Sequence, residues 1–291
     1  MKIRIGSAVI VGAAALVLAV GSHPTANAVT SKKADPKKML VVTHTTGFRH
    51  SDSIAAAEKI LPEMGKTSGV FTVEFCKNQE DVTKMLTPEY LDANHFDGVF
   101  FANTTGNLHI PDLNKFLDWI KAGHAFFGTH SAGDTYHPKD TDGNTGYVDM
   151  VGCEFRTHGR QADAECIVED KTHPATKHLS DKYTVKDEIY HFVKNNRADV
   201  HVLLSLRTQP DDGVKDLAGV DKSKMPTDMM IAWCKAYGKG RVFYTALGHR
   251  EDVWAAKAYQ EHLLGGIKWG FRLERGSSRP QGATPPVKKL L

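Results

Sequence analysis

Hydrophobic and polar positions along this chain repeat with two periods in alternation. Met39 to Thr43 is a short apolar run, the pattern of a strand covered on both faces. From Ser51 to Met64 the apolar residues Ile54, Ala57, Ile60 and Leu61 recur at helical spacing, with Ser51 or Asp52 placed to cap the N-terminus. The unit then repeats, with strands over Val70 to Phe75, Asp97 to Ala102 and His124 to Thr129 and helices over Gln79 to Leu86 and Ile110 to Lys121. Strands alternating with helices in this way predict a doubly wound α/β sheet, mostly parallel. Between Asp134 and Ala236 the pattern changes to shorter β-like stretches, Glu165 to Val168, Val185 to Phe192, His201 to Leu206 and Met229 to Cys234. These read as a β-rich insertion rather than a separate domain. The parallel pattern resumes at Arg241 to Ala246, and Asp252 to Trp269 supplies one closing helix.

The ends of the chain have a different character. Lys2 and Arg4, the apolar stretch from Ile5 to Val20 and Ala26-Asn27-Ala28 have the layout of an export signal with an A-x-A cleavage site. Residues 1–28 are therefore expected to be removed, leaving a periplasmic or extracellular protein that begins at Val29. The stretch is shorter than the ~20 apolar residues a span needs, and no other segment is a better candidate, so no membrane span is expected after cleavage. Residues 29–37 read as a charged linker, 38–270 as the folded domain, and 271–291, with Pro280, Pro285, Pro286 and several Gly and Ser, as a disordered tail.

Composition narrows the function classes. The 291 residues are 41% hydrophobic and 24% charged, which suits a globular fold and excludes collagen-like, coiled-coil and wholly disordered chains. A balance of 37 Lys+Arg against 34 Asp+Glu gives +3, too little for a nucleic-acid-binding surface. Four cysteines with no CxxC pair are too sparse for a disulfide scaffold. Export would permit a Cys153–Cys166 bridge, but Cys166 and Cys234 lie in apolar strand-like runs, and buried free thiols are expected. There is no Walker loop and no G-x-G-x-x-G after the first strand, so no nucleotide cofactor is expected. Nothing in the pattern specifies an oligomeric state.

Fifteen histidines are the unusual feature. Ligand sites of open α/β sheets lie beyond the carboxyl ends of the strands, so the residues just after each strand carry the candidates. Arg49 and His50 follow the first strand. The fourth ends Gly128-Thr129-His130-Ser131-Ala132-Gly133, which resembles a nucleophile elbow in two alignments, with His130 or Ser131 at the apex of a turn into a helix. A helix N-terminus would hold His130 neutral, fit to be a ligand or a base. His249 follows the last parallel strand, with Glu251 available to orient it. Within the insertion, Asp187, Glu188, Tyr190 and His191 alternate along one predicted strand. Tyr136, Tyr147, Phe155 and Trp254 are aromatic residues that could stack on a ring or fill the core.

Taken together, Thr43 to His50, the Gly128-Thr129-His130-Ser131-Ala132 elbow, the Asp187-Glu188-x-Tyr190 strand and the Gly240 to His249 run resemble the ThuA-like, or trehalose-utilisation, family over Lys38 to Gly270. The resemblance implies a class I glutamine-amidotransferase-like, flavodoxin-like fold. In amidotransferase relatives the apex is a cysteine followed late in the chain by His-x-Glu. Here His249-Arg250-Glu251 keeps the late spacing, but no cysteine stands at the apex to form a thioester, so glutaminase activity is not expected. The resemblance further implies carbohydrate metabolism, with a trehalose, glycoside or 3-keto-glycoside substrate and a hydrolase or lyase reaction. On that reading His50, His130 and His249 hold a divalent metal such as zinc. Alternatively, His130, His249 and Glu188 share acid/base duties, while Arg49, Tyr190 and Ser131 bind substrate. Two other readings stand beside it: a noncatalytic carbohydrate-binding or accessory protein on the same fold, and a serine hydrolase using Ser131, Glu188 and His249.

Overall fold

Continuous apolar runs form buried parallel strands, and the amphipathic segments between them lie across the sheet. A computed structural model describes residues 1–2, 35–195, 197–206, 212–214 and 229–282; the expected export signal beyond Lys2, the linker up to residue 34 and the last nine residues of the tail lie outside the described residues. The first half runs β1 (Lys37–Val42), α1 (Ser51–Ser68), β2 (Phe71–Cys76), α2 (Gln79–Met85), α3 (Pro88–Ala93), β3 (Gly98–Ala102), α4 (Leu113–Gly123) and β4 (Ala125–Thr129). The second half runs α5 (Gly146–Val151), β5 (Cys153–His158), β6 (Ala162–Val168), β7 (Lys182–Asp187), β8 (Tyr190–Asn195), β9 (His201–Leu206), β10 (Met229–Tyr237), β11 (Gly240–Thr245), α6 (Glu251–Ala255) and α7 (Lys257–Gly270).

Nine strands form one sheet in the order β2-β1-β3-β4-β11-β10-β9-β6-β7. The first five are all parallel, in the 2-1-3-4-5 order of a flavodoxin-like fold. The insertion continues this sheet with antiparallel strands rather than forming a body of its own. Every residue of β3 and β4 is buried, because the sheet has a core on each face. Ala57 and Leu61 of α1 pack with Tyr259 and Leu263 of α7 on one side; Val82 of α2 and Phe116 of α4 pack with Tyr147 of α5 on the other.

Local chemistry adjusts several element boundaries. Neither Ser51 nor Asp52 caps α1; His50 is the boundary residue, and the Ser53 hydroxyl donates back to its carbonyl at 3.2 Å. The helix stops where Gly69 turns left-handed at φ 63° and its N–H bonds the Gly65 carbonyl. α4 starts after Ile110 because the Asp112 carboxylate accepts from the Lys115 N–H at 3.0 Å. α3, capped by Thr87 with Pro88 in first position, is too short to show a period in sequence. The sequence pattern gives no sign of β5 or α5 either.

Two predicted elements are each broken in two. The strand expected over Val185 to Phe192 is instead β7 and β8, in different sheets: β7 pairs with β6, and β8 pairs with β5 in a two-stranded ribbon. Asp187 causes the break by turning its carboxylate onto the next N–H, that of Glu188, at 3.0 Å, in competition with the ladder. Alternation therefore fails there, and Asp187, Glu188, Ile189, Tyr190 and His191 are all buried. The helix expected over Asp252 to Trp269 is α6 and α7, separated by extended Ala256 at ψ 128°.

Part of the segment that reads as a disordered tail packs against the domain. Phe271 is buried against Phe127, Glu274 pairs with Lys177 and Lys268, and the Gln281 side chain exchanges hydrogen bonds with both backbone groups of Val202. All four cysteines are free and buried, Cys153 and Cys166 included. Among the described residues no helix is long and apolar enough to cross a membrane.

Candidate metal centre

Three parallel strands deliver one histidine each at their carboxyl ends: His50 after β1, His130 after β4 and His249 after β11. Glu188 enters from the break between β7 and β8. One ligand atom from each of the four lies within 4.8 Å of all the others. The Nε2 of His130 is 3.1 Å from the Nδ1 of His249 and 3.4 Å from Glu188 Oε2, and that Nδ1 is 3.2 Å from the same oxygen. A tetrahedral zinc site with bonds of ~2.1 Å sets its ligand atoms ~3.4 Å apart, so this donor set fits such an ion.

The elbow has its apex at His130, which takes φ 43°, and not at Ser131. Small neighbours permit the turn: a Cβ on Gly128 would meet Ala132 and Tyr244 at 3.2 and 3.1 Å. The chain leaves the apex through a 3-10 turn, His130–Asp134, rather than the expected α-helix, so no helix N-terminus holds His130 neutral. Its orientation comes from elsewhere. His130 Nδ1 lies 3.0 Å from the carbonyl of Ala246; a carbonyl can only accept, so Nδ1 carries the hydrogen and Nε2 faces the centre with its lone pair. The Tyr244 hydroxyl donates to the His130 carbonyl at 2.5 Å.

Ser131 is fully buried, with its hydroxyl 3.2 Å from His50 Nδ1. That contact places it against His50, whereas the serine-hydrolase reading pairs it with His249. Glu188 is the carboxylate on His249, while Glu251, expected there, is exposed in the first turn of α6. Tyr190 packs against His130 with ring centroids 4.1 Å apart. Arg49 lies on the rim and donates to the Thr43 carbonyl at 2.9 Å. His191 is turned away onto Asp212 at 2.6 Å.

Burial, together with the neighbouring His130 and His249, lowers the His50 pKa to about 3, so this ring is neutral and free to coordinate. Burial works to raise the Glu188 pKa, but the neighbouring His130 and His249 outweigh it and hold the carboxyl ionised. Burial works to lower that of His249, and Glu188 reverses the sign. Three neutralisable nitrogens around one ionised carboxylate are suited to a divalent cation.

Residues outside the four candidate ligands hold those side chains in place. Asn103, buried at φ 53°, donates to Ser53 Oγ and to the Gly248 carbonyl, both at 2.8 Å, and accepts from the Thr129 hydroxyl at 2.7 Å. One side chain thus ties together the three chain segments that bear the histidines. Asp187 accepts from the N–H groups of Gly248 at 2.6 Å and Arg250 at 3.2 Å, on either side of His249. His158 lies 3.0 Å from Glu188 Oε1. Beside the centre is a cavity of ≈ 370 Å³ whose lining includes Phe48, Asp134, Phe155, His158, Tyr190 and His249. Of the four candidate stacking aromatics only Phe155 reaches it; Tyr136, Tyr147 and Trp254 are core.

A family model described as ThuA, trehalose utilisation, matches residues 38–270. The chain belongs to the ThuA family. Among solved structures, this ThuA-family protein resembles a putative ThuA-like protein from Bacteroides uniformis at 21% identity and TM-score 0.64, over 82% of this chain and 94% of that one. It also resembles a putative ThuA-like protein from Parabacteroides merdae at 18% identity and TM-score 0.59, over 86% and 94%. At these identities the likeness shows the fold. No curated protein sequence matches the chain.

Proposed function

We propose that this ThuA-family protein is an exported, metal-assisted hydrolase or lyase acting on glycosides or 3-keto-glycosides. The observation that carries the reading is the convergence of His50, His130, His249 and Glu188, with ligand atoms within 4.8 Å, at the edge of a ligand-sized cavity. The family's tie to trehalose utilisation supports the substrate class.

A divalent ion held by the four would polarise a substrate carbonyl or acidify a water. The chain's own residues supply the rest. Ala246 and Ser131 aim the rings of His130 and His50, and Glu188 contributes the negative charge. Phe48 and Phe155 wall the cavity with apolar surface. His158, half-exposed and beside Glu188, is placed to move a proton at the cavity wall. A 3-keto group acidifies the adjacent C–H, so a base at this position could begin elimination of the glycosidic oxygen.

The test is elemental analysis of protein purified without chelator, alongside His130→Ala. Near-stoichiometric divalent metal, lost in the variant, is expected; a metal-free wild type overturns metal assistance. With glucosides and 3-keto-glucosides, His130→Ala and His249→Ala should abolish turnover and retain part of the binding. Sugar binding without turnover in the wild type would instead assign a carbohydrate-binding role. Export is tested by N-terminal sequencing of the protein from its source culture: a start at Val29 supports it, and a start at Met1 overturns it.

A further inference from the structure

The elbow that presents His130 ends, four residues later, in a polar group on the cavity. Asp134 closes the 3-10 turn, and its side chain lines the cavity. Behind it stands His137, whose Nε2 is 2.6 Å from Asp134 Oδ1 and whose Nδ1 is 3.2 Å from Glu154 Oε1. A ring with a carboxylate on each nitrogen donates from both only as an imidazolium, and these two contacts do raise the His137 pKa, with Asp134 the larger cause. The Asp134 carboxylate is therefore fixed in orientation from behind.

The two carboxylates that line the cavity differ in what they have left to offer. Glu188 has both oxygens engaged, Oε2 with His130 and His249 and Oε1 with His158. Asp134 uses Oδ1 on His137, and among the described residues its Oδ2 makes no hydrogen bond. The remaining wall includes Phe155, which packs on Tyr190 with centroids 4.2 Å apart, and Phe48, which is 71% exposed. An anionic acceptor beside aromatic surface fits a ring with one apolar face and hydroxyl donors at its edge. The volume of ≈ 370 Å³ lies near the lower end of ligand pockets, which run from ~300 to ~1,000 Å³, and is suited to one such ring.

We propose that Asp134, backed by His137 and Glu154, is the hydroxyl-accepting group of a monosaccharide-sized subsite whose apolar side is Phe155. The proposal rests on the carbohydrate reading above and adds to it a residue that selects which ring hydroxyl is recognised.

The test uses full-length protein saturated with zinc, and calorimetric titration with trehalose, methyl α-D-glucopyranoside and their 3-keto forms. The tightest of these is then compared with its singly deoxygenated analogues. Asp134→Ala should weaken the parent sugar by about 10- to 100-fold, the usual effect of deleting a hydrogen bond to a charged group, with zinc content unchanged. One deoxy analogue should bind wild type and variant alike, because it lacks the hydroxyl that Asp134 accepts. A variant that binds every sugar as tightly as wild type overturns the proposal, as does a loss of equal size for all analogues, which would mark a merely structural role. Wild type that binds none of the sugars overturns the carbohydrate reading itself, and the subsite with it.

Discussion

Asn103 shows how one side chain can govern a site it does not enter. Its amide satisfies two acceptors and one donor in three segments, each within three residues of a candidate ligand. Its left-handed φ of 53° is one that asparagine tolerates better than most residues. Asn103→Asp keeps the size and the backbone preference but replaces both N–H donors with a carboxylate oxygen aimed at the Gly248 carbonyl. Zinc affinity, measured by competition with a chelator, should fall about 10- to 100-fold, as for other outer-shell partners. An unchanged affinity would show that the loops hold their geometry without it. At this scale the candidate ligands were legible because His50, His130 and His249 each follow a parallel strand. Asn103 also follows a parallel strand, but an amide does not stand out as a ligand; Asp134, in the turn after the apex, and His158, ending the short β5, carry no periodic signal.

The breaks inside elements do as much for the site as the elements. Had β7 continued into β8 as one alternating strand, Glu188 and Asp187 would point to opposite faces. The break lets Glu188 face the histidines while Asp187 clamps the backbone of Gly248 and Arg250. The kink at Ala256 works similarly: the Trp254 indole donates to the Gly248 carbonyl and the Tyr259 hydroxyl to that of Leu247, both at 2.9 Å, so α6 and α7 each anchor the loop of His249. Tyr259→Phe would leave the buried Leu247 carbonyl without this donor. Urea unfolding should then show a loss of about 1–3 kcal/mol, and a loss below the error of the measurement would mean the loop is secured elsewhere. Neither break carries a Pro or Gly, so the sequence pattern had nothing to mark it.

Across the whole molecule, the parallel half and its antiparallel extension share one sheet, and the first eleven or so residues after α7 strap across it. Phe271 fills a position beside Phe127, and the Gln281 side chain bonds the backbone of Val202 at the far side. Ending the chain at Gly270 should lower stability by at least the burial of one phenylalanine, ~2 kcal/mol, seen as a lower urea midpoint. Zinc stoichiometry should not change, because none of these contacts touches the four candidate ligands. Unaltered stability would show that the strap is dispensable. Composition misread this segment: Pro, Gly and Ser lower the propensity for helix and strand, but they leave side chains such as Phe271, Glu274 and Gln281 free to dock.

The sequence by itself determined the parallel half of the fold, because continuous apolar runs and helical spacing follow from burial on two faces and hardly depend on distant partners. It also determined which histidines stand at strand ends, and its four motifs were sufficient to indicate the family. Only the tertiary structure decided that these histidines meet Glu188, that His130 and not Ser131 is the apex, and that Glu251 stays outside. Those outcomes depend on hydrogen bonds between residues separated by up to 145 positions, and no local period encodes such pairings.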